Sequence, residues 1–131
     1  AGVIDGLEED GADTAVSSRP DALVLFNPVF DNGPGGWGHN RVKARWREIS
    51  PMHNITGAAP PTTVFLGSED KLIPVATAHA YQARMRTAGS RCDVHIYEGQ
   101  GHGFFNRSRS AASFDATVAE MDRFFASLGW L

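Results

Sequence analysis

Apolar residues in this chain fall into two patterns: short unbroken runs, and longer segments in which they recur every three or four positions. The first unbroken run is ALVLFNP, residues 22–28, ended by Asn27-Pro28. It predicts a strand buried on both faces, as in a parallel sheet. TTVFLG, residues 62–67, is rich in β-branched and aromatic side chains and predicts a second strand. DVHIYEG, residues 93–99, predicts a third. Between the last two, Val75, Ala78, Tyr81, Met85 and Ala88 recur at helical spacing. Pro74 suits the first turn of that helix, where a missing N–H is not needed, and Gly89 is its natural stop. A final helix is predicted over 111–128, with Phe114, Val118, Met121, Phe125 and Leu128 forming one apolar stripe and Gly129 closing it. RVKARWREI, residues 41–49, predicts a shorter helix stopped by Ser50-Pro51.

From residue 22 the order is strand, loop and helix, strand, helix, strand, helix. That alternation predicts a three-layer α/β fold: a parallel sheet of about three strands flanked by helices. DNGPGGWG, residues 31–38, holds four glycines and a proline and reads as loop. Residues 50–61 read as a connection. Residues 1–20 read as an irregular, acidic lead-in, and residues 21–131 as the α/β portion of one domain. In open α/β sheets functional residues gather at the carboxyl ends of the strands.

Composition narrows the partners. The chain has 131 residues, enough for one core and not two. Hydrophobic residues make up 42% and charged residues 21%, the ordinary balance of a globular domain. A net charge of −3 with no basic stripe argues against a nucleic-acid partner. No apolar run approaches the ~20 residues that cross a bilayer, so no membrane partner is expected. The N-terminal stretch has neither the basic start nor the apolar centre of a targeting signal. Cys92 is the single cysteine, which excludes an internal disulfide and a multi-cysteine zinc site and leaves the compartment open.

The strand ends carry the chemistry. GSEDKLIP follows the second strand and brings Glu69 and Asp70; GQGHGFFN follows the third and brings His102 between two glycines. Asp70 and His102 are separated by about one strand–helix–strand crossover, so neighbouring strands would put both on one rim. A carboxylate there can hold an imidazole in one tautomer and stabilise its protonated form. The simpler role for Asp70 is a turn former or an acid ahead of the Pro74 helix.

The stretch from Pro60 to Asn106 resembles the C-terminal part of an α/β-hydrolase and is most similar to the esterase/lipase branch that includes acetyl esterases. The G-x-x-D-x-x-x-P segment of that branch is matched by Gly67, Asp70 and Pro74. Its Y-E-G-x-x-H-G-F segment is matched by Tyr97, Glu98, Gly99, His102, Gly103 and Phe104. ALVLFNPVFDN is similar to the strand and loop that come before. The resemblance implies carboxylic-ester hydrolysis, with Asp70 as the triad acid and His102 as the general base, acting on a small-molecule ester such as an acetylated sugar or a small alkyl ester. It implies no cofactor and no metal.

The third member of such a triad sits on a G-x-S-x-G elbow, earlier in the chain than the acid and the histidine. No serine here has glycine at both flanking positions of that motif, and the HGGG-type oxyanion loop is absent as well. The nucleophile is therefore unknown, and the chain reads as the C-terminal portion of a hydrolase that begins downstream of the elbow. Ser68 and Ser50 are the candidates for a recruited nucleophile, each also readable as a turn or cap residue. The alternative is a non-catalytic hydrolase remnant acting by association. Either way, a sheet beginning at residue 22 leaves an apolar edge, so a homo-oligomer, a dimer, is expected to cover residues 22–28.

Other signals carry less. Gly33, Gly35 and Gly38 match G-x-G-x-x-G, but they do not open a helix directly after a strand, and no strand-end acid follows at the required distance. His39, His53, His79 and His95 lack zinc-ligand spacing. Trp37, Trp46 and Trp130 read as packing residues, with Trp37 near enough to the predicted rim to reach a bound acyl group.

Overall fold

The computed structural model describes residues 9–131 except 12 and 14. Most of the predicted lead-in over 1–20 lies outside the described residues, and its described part holds only turns and irregular chain. The elements run in the order β1 (Leu23–Phe26), α1 (His39–Val42), a 3₁₀ turn (Lys43–Arg45), α2 (Trp46–Ile49), a second 3₁₀ turn (Pro51–His53), β2 (Thr62–Gly67), α3 (Val75–Thr87), β3 (Cys92–Tyr97) and α4 (Ala111–Ser127). The three strands form one parallel sheet in the order β1-β2-β3. Leu23 stands opposite Thr62, and Thr62 opposite Cys92.

Period-2 alternation sorts the side chains onto two faces. On one face Val64, Leu66 and Cys92 pack with Phe30, Met52, Ile73 and with Ala78, Tyr81 and Met85 of α3. Leu25, Val94 and Ile96 join them from the partly buried positions of the outer strands. Phe30 and Tyr81 stack there at 3.8 Å between ring centroids. Burial pushes the Cys92 thiol up to about 12, which leaves it a small apolar core group and not a nucleophile. The other face is aromatic. Phe65 stacks between Phe26 at 4.9 Å and His95 at 5.2 Å. Phe105, from the loop that follows β3, lies against Phe26. The second face also carries α4.

Three expectations are modified. The strand buried on both faces is β2, every residue of which is buried, whereas β1 is half-buried along its length. The reason is position: among the described residues β2 has a neighbour on each side, and β1 has only β2. The helix predicted over 41–49 is two short α-helical turns around a 3₁₀ turn, broken at Lys43, whose φ is +47°. In α4 the residues that reach the interior are Thr117 and Phe124, one position before Val118 and Phe125 of the predicted stripe. Val118 is exposed. Ser110 caps this helix by accepting the Ser113 N–H at 3.1 Å.

Candidate active site

Gly67 at the end of β2 stands opposite Tyr97 at the end of β3, so the two following loops leave the sheet on the same rim. They are stitched together at once. Ser68 N–H donates to the Tyr97 carbonyl at 2.9 Å, and Glu69 N–H to the Gln100 carbonyl at 2.9 Å. Gly99 N–H donates to Ser68 Oγ at 2.8 Å. Gly67 is required for this closeness, since a Cβ there would lie 2.1 Å from the Gln100 carbonyl oxygen. Gly103, at φ +78°, turns the chain immediately after His102.

The rim brings Asp70 and His102 together: His102 Nδ1 and Asp70 Oδ2 are 2.9 Å apart. Asp70 divides its oxygens between two tasks. Oδ1 accepts the Leu72 N–H at 2.8 Å and the Ile73 N–H at 3.0 Å, closing an Asx turn; Oδ2 faces the imidazole. The turn-forming reading of Asp70 and the pairing with His102 are thus both present in one side chain. Burial of this carboxylate would by itself raise its pKa. The two backbone donors and the hydrogen bond and charge of His102 outweigh that, and the net position is below the ordinary 3.8. An ionised carboxylate only accepts hydrogen bonds, so Nδ1 carries the proton and Nε2 is left as a base. The Asp70 side chain is fully buried while that of His102 is 46% exposed. Arg109 holds the His102 carbonyl with an Nη1 donor at 2.9 Å.

The two candidate serines are placed differently. Ser68 is on the rim, but its hydroxyl oxygen is engaged by Gly99. Ser50 is fully buried, and its hydroxyl sits 3.0 Å from His53 Nδ1 while accepting the Asn32 N–H at 3.1 Å. It fastens the glycine loop, and its hydroxyl bonds go to Asn32, Phe30 and His53, not to His102. Trp37 is 44% exposed and lines an open cleft beside the Asp70 turn. His39 Nδ1–H donates to the Asn32 carbonyl at 2.8 Å. Among the described residues no group of three or more His, Cys, Asp or Glu side chains is disposed to hold a metal, and no helix is long and apolar enough to cross a membrane.

Sequence reasoning offered Asp70 as a turn former but did not name its donors, the backbone N–H groups of Leu72 and Ile73. The signal was available: an Asp two and three residues before amides that precede a helix is an Asx-turn arrangement. It also missed Asn27 at the end of β1. Asn27 is nine-tenths buried, with φ +46°, and neither polar atom of its side chain has a partner among the described residues.

Residues 21–129 match the dienelactone hydrolase family. The chain belongs to that family. Among characterised relatives, esterase LipC of Mycobacterium tuberculosis is 44% identical over 61 residues, covering 45% of this chain and 15% of its own. The acetylxylan esterase of Xylanibacter ruminicola is 39% identical over 99 residues, covering 66% of this chain and 21% of its own. Among solved structures, Thermogutta terrifontis esterase 2 phosphoramylated by tabun superposes with a TM-score of 0.89 at 32% identity, over 98% of this chain and 49% of the esterase. The same esterase is known with propionate and with butyrate bound. This family member therefore spans about half the length of that esterase. Its three parallel strands and helices are those of an α/β-hydrolase, and its relatives are esterase-type hydrolases.

Proposed function

We propose that the protein hydrolyses short-chain carboxylic esters through a nucleophile–His–Asp relay, and that this chain contributes the acid, Asp70, and the base, His102. The observation that carries the reading is the 2.9 Å contact between His102 Nδ1–H and a buried, ionised Asp70. It sits at the carboxyl ends of adjacent parallel strands, where such sheets place their chemistry. The bound propionate and butyrate of the Thermogutta esterase support a short acyl group.

His102 Nε2 takes the proton of a hydroxyl nucleophile as the oxygen attacks the ester carbonyl. Asp70 fixes the ring so that Nε2 faces the reaction, and its charge stabilises the imidazolium that forms. The same proton then passes to the leaving alkoxide, and the alcohol departs. Water, deprotonated by His102 in turn, hydrolyses the acyl ester and regenerates the nucleophile. Among the serines of this chain Ser68 stands on the same rim as Asp70, and its hydroxyl is the candidate that His102 would activate.

The test is hydrolysis of p-nitrophenyl acetate by the purified chain, beside its His102→Ala and Asp70→Asn variants with folding checked by circular dichroism. If His102 acts as a base, its loss lowers the enzymatic rate about 10²-fold or more. Equal rates in wild type and His102→Ala would sink the reading for this chain and favour a role by association.

A further inference from the structure

A cleft of about 430 Å³ opens between the glycine loop and the turn that holds Asp70. Its walls include Asp31, Trp37, Leu72, Ile73 and Thr77. Leu72 and Ile73 are the residues whose N–H groups hold Asp70, so the cleft adjoins the acid–base pair through a shared backbone. Two large apolar side chains stand open at it, Trp37 at 44% and Leu72 at 50% exposure.

The loop that presents Trp37 is fixed. Asn32 Nδ2 donates to the Trp37 carbonyl at 3.1 Å, Gly33 N–H donates to Asp31 Oδ1 at 2.7 Å, and buried Ser50 holds Asn32 from beneath. These bonds hold the backbone that carries the indole, and the Arg41 guanidinium lies 5.3 Å over its ring, so the half-exposed side chain is a preorganised contact surface, of the kind aromatic groups supply at little cost in entropy. Among the described residues the second carboxylate oxygen of Asp31 has no hydrogen-bond partner. Thr77 Oγ donates to the Pro74 carbonyl at 2.7 Å and keeps its lone pairs for a ligand donor.

Size and lining decide the occupant. A two- to four-carbon acyl chain is far smaller than this cleft and has no use for a carboxylate and a hydroxyl in the wall. A ring with one apolar face and several hydroxyls uses both: the C–H face on Trp37 and Leu72, the hydroxyls on Asp31 and Thr77. We infer that the cleft binds the alcohol half of the ester, and that this alcohol is a pyranose ring. The inference rests on the ester-hydrolase reading and names the specificity residues of that site.

The test reads binding on the 131-residue chain, independently of turnover. Methyl β-D-xylopyranoside is titrated against ¹⁵N-labelled protein while the three indole N–H resonances are followed. The signal that disappears in Trp37→Phe is expected to move saturably. Asp31→Asn, which keeps an oxygen for Gly33, is expected to weaken binding about ten-fold, the loss of one hydrogen bond to a charged acceptor. Leu72→Ala weakens it as well. Absence of any movement, an equal response to n-butanol, or affinity unchanged in Asp31→Asn overturns the assignment. A saturable shift beside a failed p-nitrophenyl acetate assay sinks the hydrolase reading alone; active hydrolysis with no shift sinks the cleft assignment alone.

Discussion

Asp70 is the residue on which folding and the proposed chemistry meet. Its Oδ1 shapes the turn after β2, and its Oδ2 aims His102. Because its pKa is held below 3.8 in the folded chain, its ionised form favours folding. That contribution is full above the unfolded value of about 4 and is lost as the pH falls through the lower folded value. Urea denaturation of the wild type should therefore show stability falling as the pH drops through and below about 4, with a smaller fall in Asp70→Asn. An unchanged acid limb in the variant would show that this carboxylate does not couple to folding. The asparagine keeps an Oδ1 for the turn, so it separates the two tasks in a way that alanine does not. At this scale the pairing of Asp70 with His102 was legible in the sequence, because both lie in motifs with glycines at fixed offsets. Trp37 and Asp31 were less so, since nothing in DNGPGGWG says which side chains the loop turns outward.

Among the elements, β2 and its flanking loops are the most constrained. Gly67→Ala places a methyl group 2.1 Å from the Gln100 carbonyl, so either β2 or the His102 loop must move. The expected cost is about 1–3 kcal/mol by chemical denaturation, with rearranged His102 resonances in the NMR spectrum. A variant as stable as wild type with an unmoved His102 signal would refute the close approach. The strands and α3 were readable because unbroken apolar runs and helical spacing report burial directly. The burial of β1 was overread, since an apolar run does not say how many neighbours a strand has. The α4 stripe held at Phe114, Met121, Phe125 and Leu128, which are half-buried, and failed at Val118, which is exposed. The stripe was traced through its largest apolar residues, yet the interior takes Thr117 in preference to Val118.

For the whole molecule, the side of β1 that pairs with no strand among the described residues is the feature that sets its company. An edge strand carries unpaired backbone donors and acceptors and recruits other chains. We propose that in isolation the chain covers this edge by pairing with a second copy. Sedimentation velocity over a concentration series should show a dimer that grows with concentration, and a monomer throughout would remove the proposal. The edge was expected from the sequence, since no strand is predicted before residue 22, but its partner is not readable there, because pairing depends on what stands beside β1.

The strand order has one more consequence. Each strand pairs with the one before it in the chain, so the distance between the Asp70 and His102 loops is set by a single inter-strand spacing of about 4.8 Å. The crossover helix α3 is not part of that ruler. In evolutionary terms the pair is buffered: the solvent face of α3 can drift, gain charge or change its sequence wholesale while Asp70 and His102 keep their separation. A one-residue slip of β3 against β2, by contrast, would turn every side chain of that strand to the opposite face and carry His102 away with it.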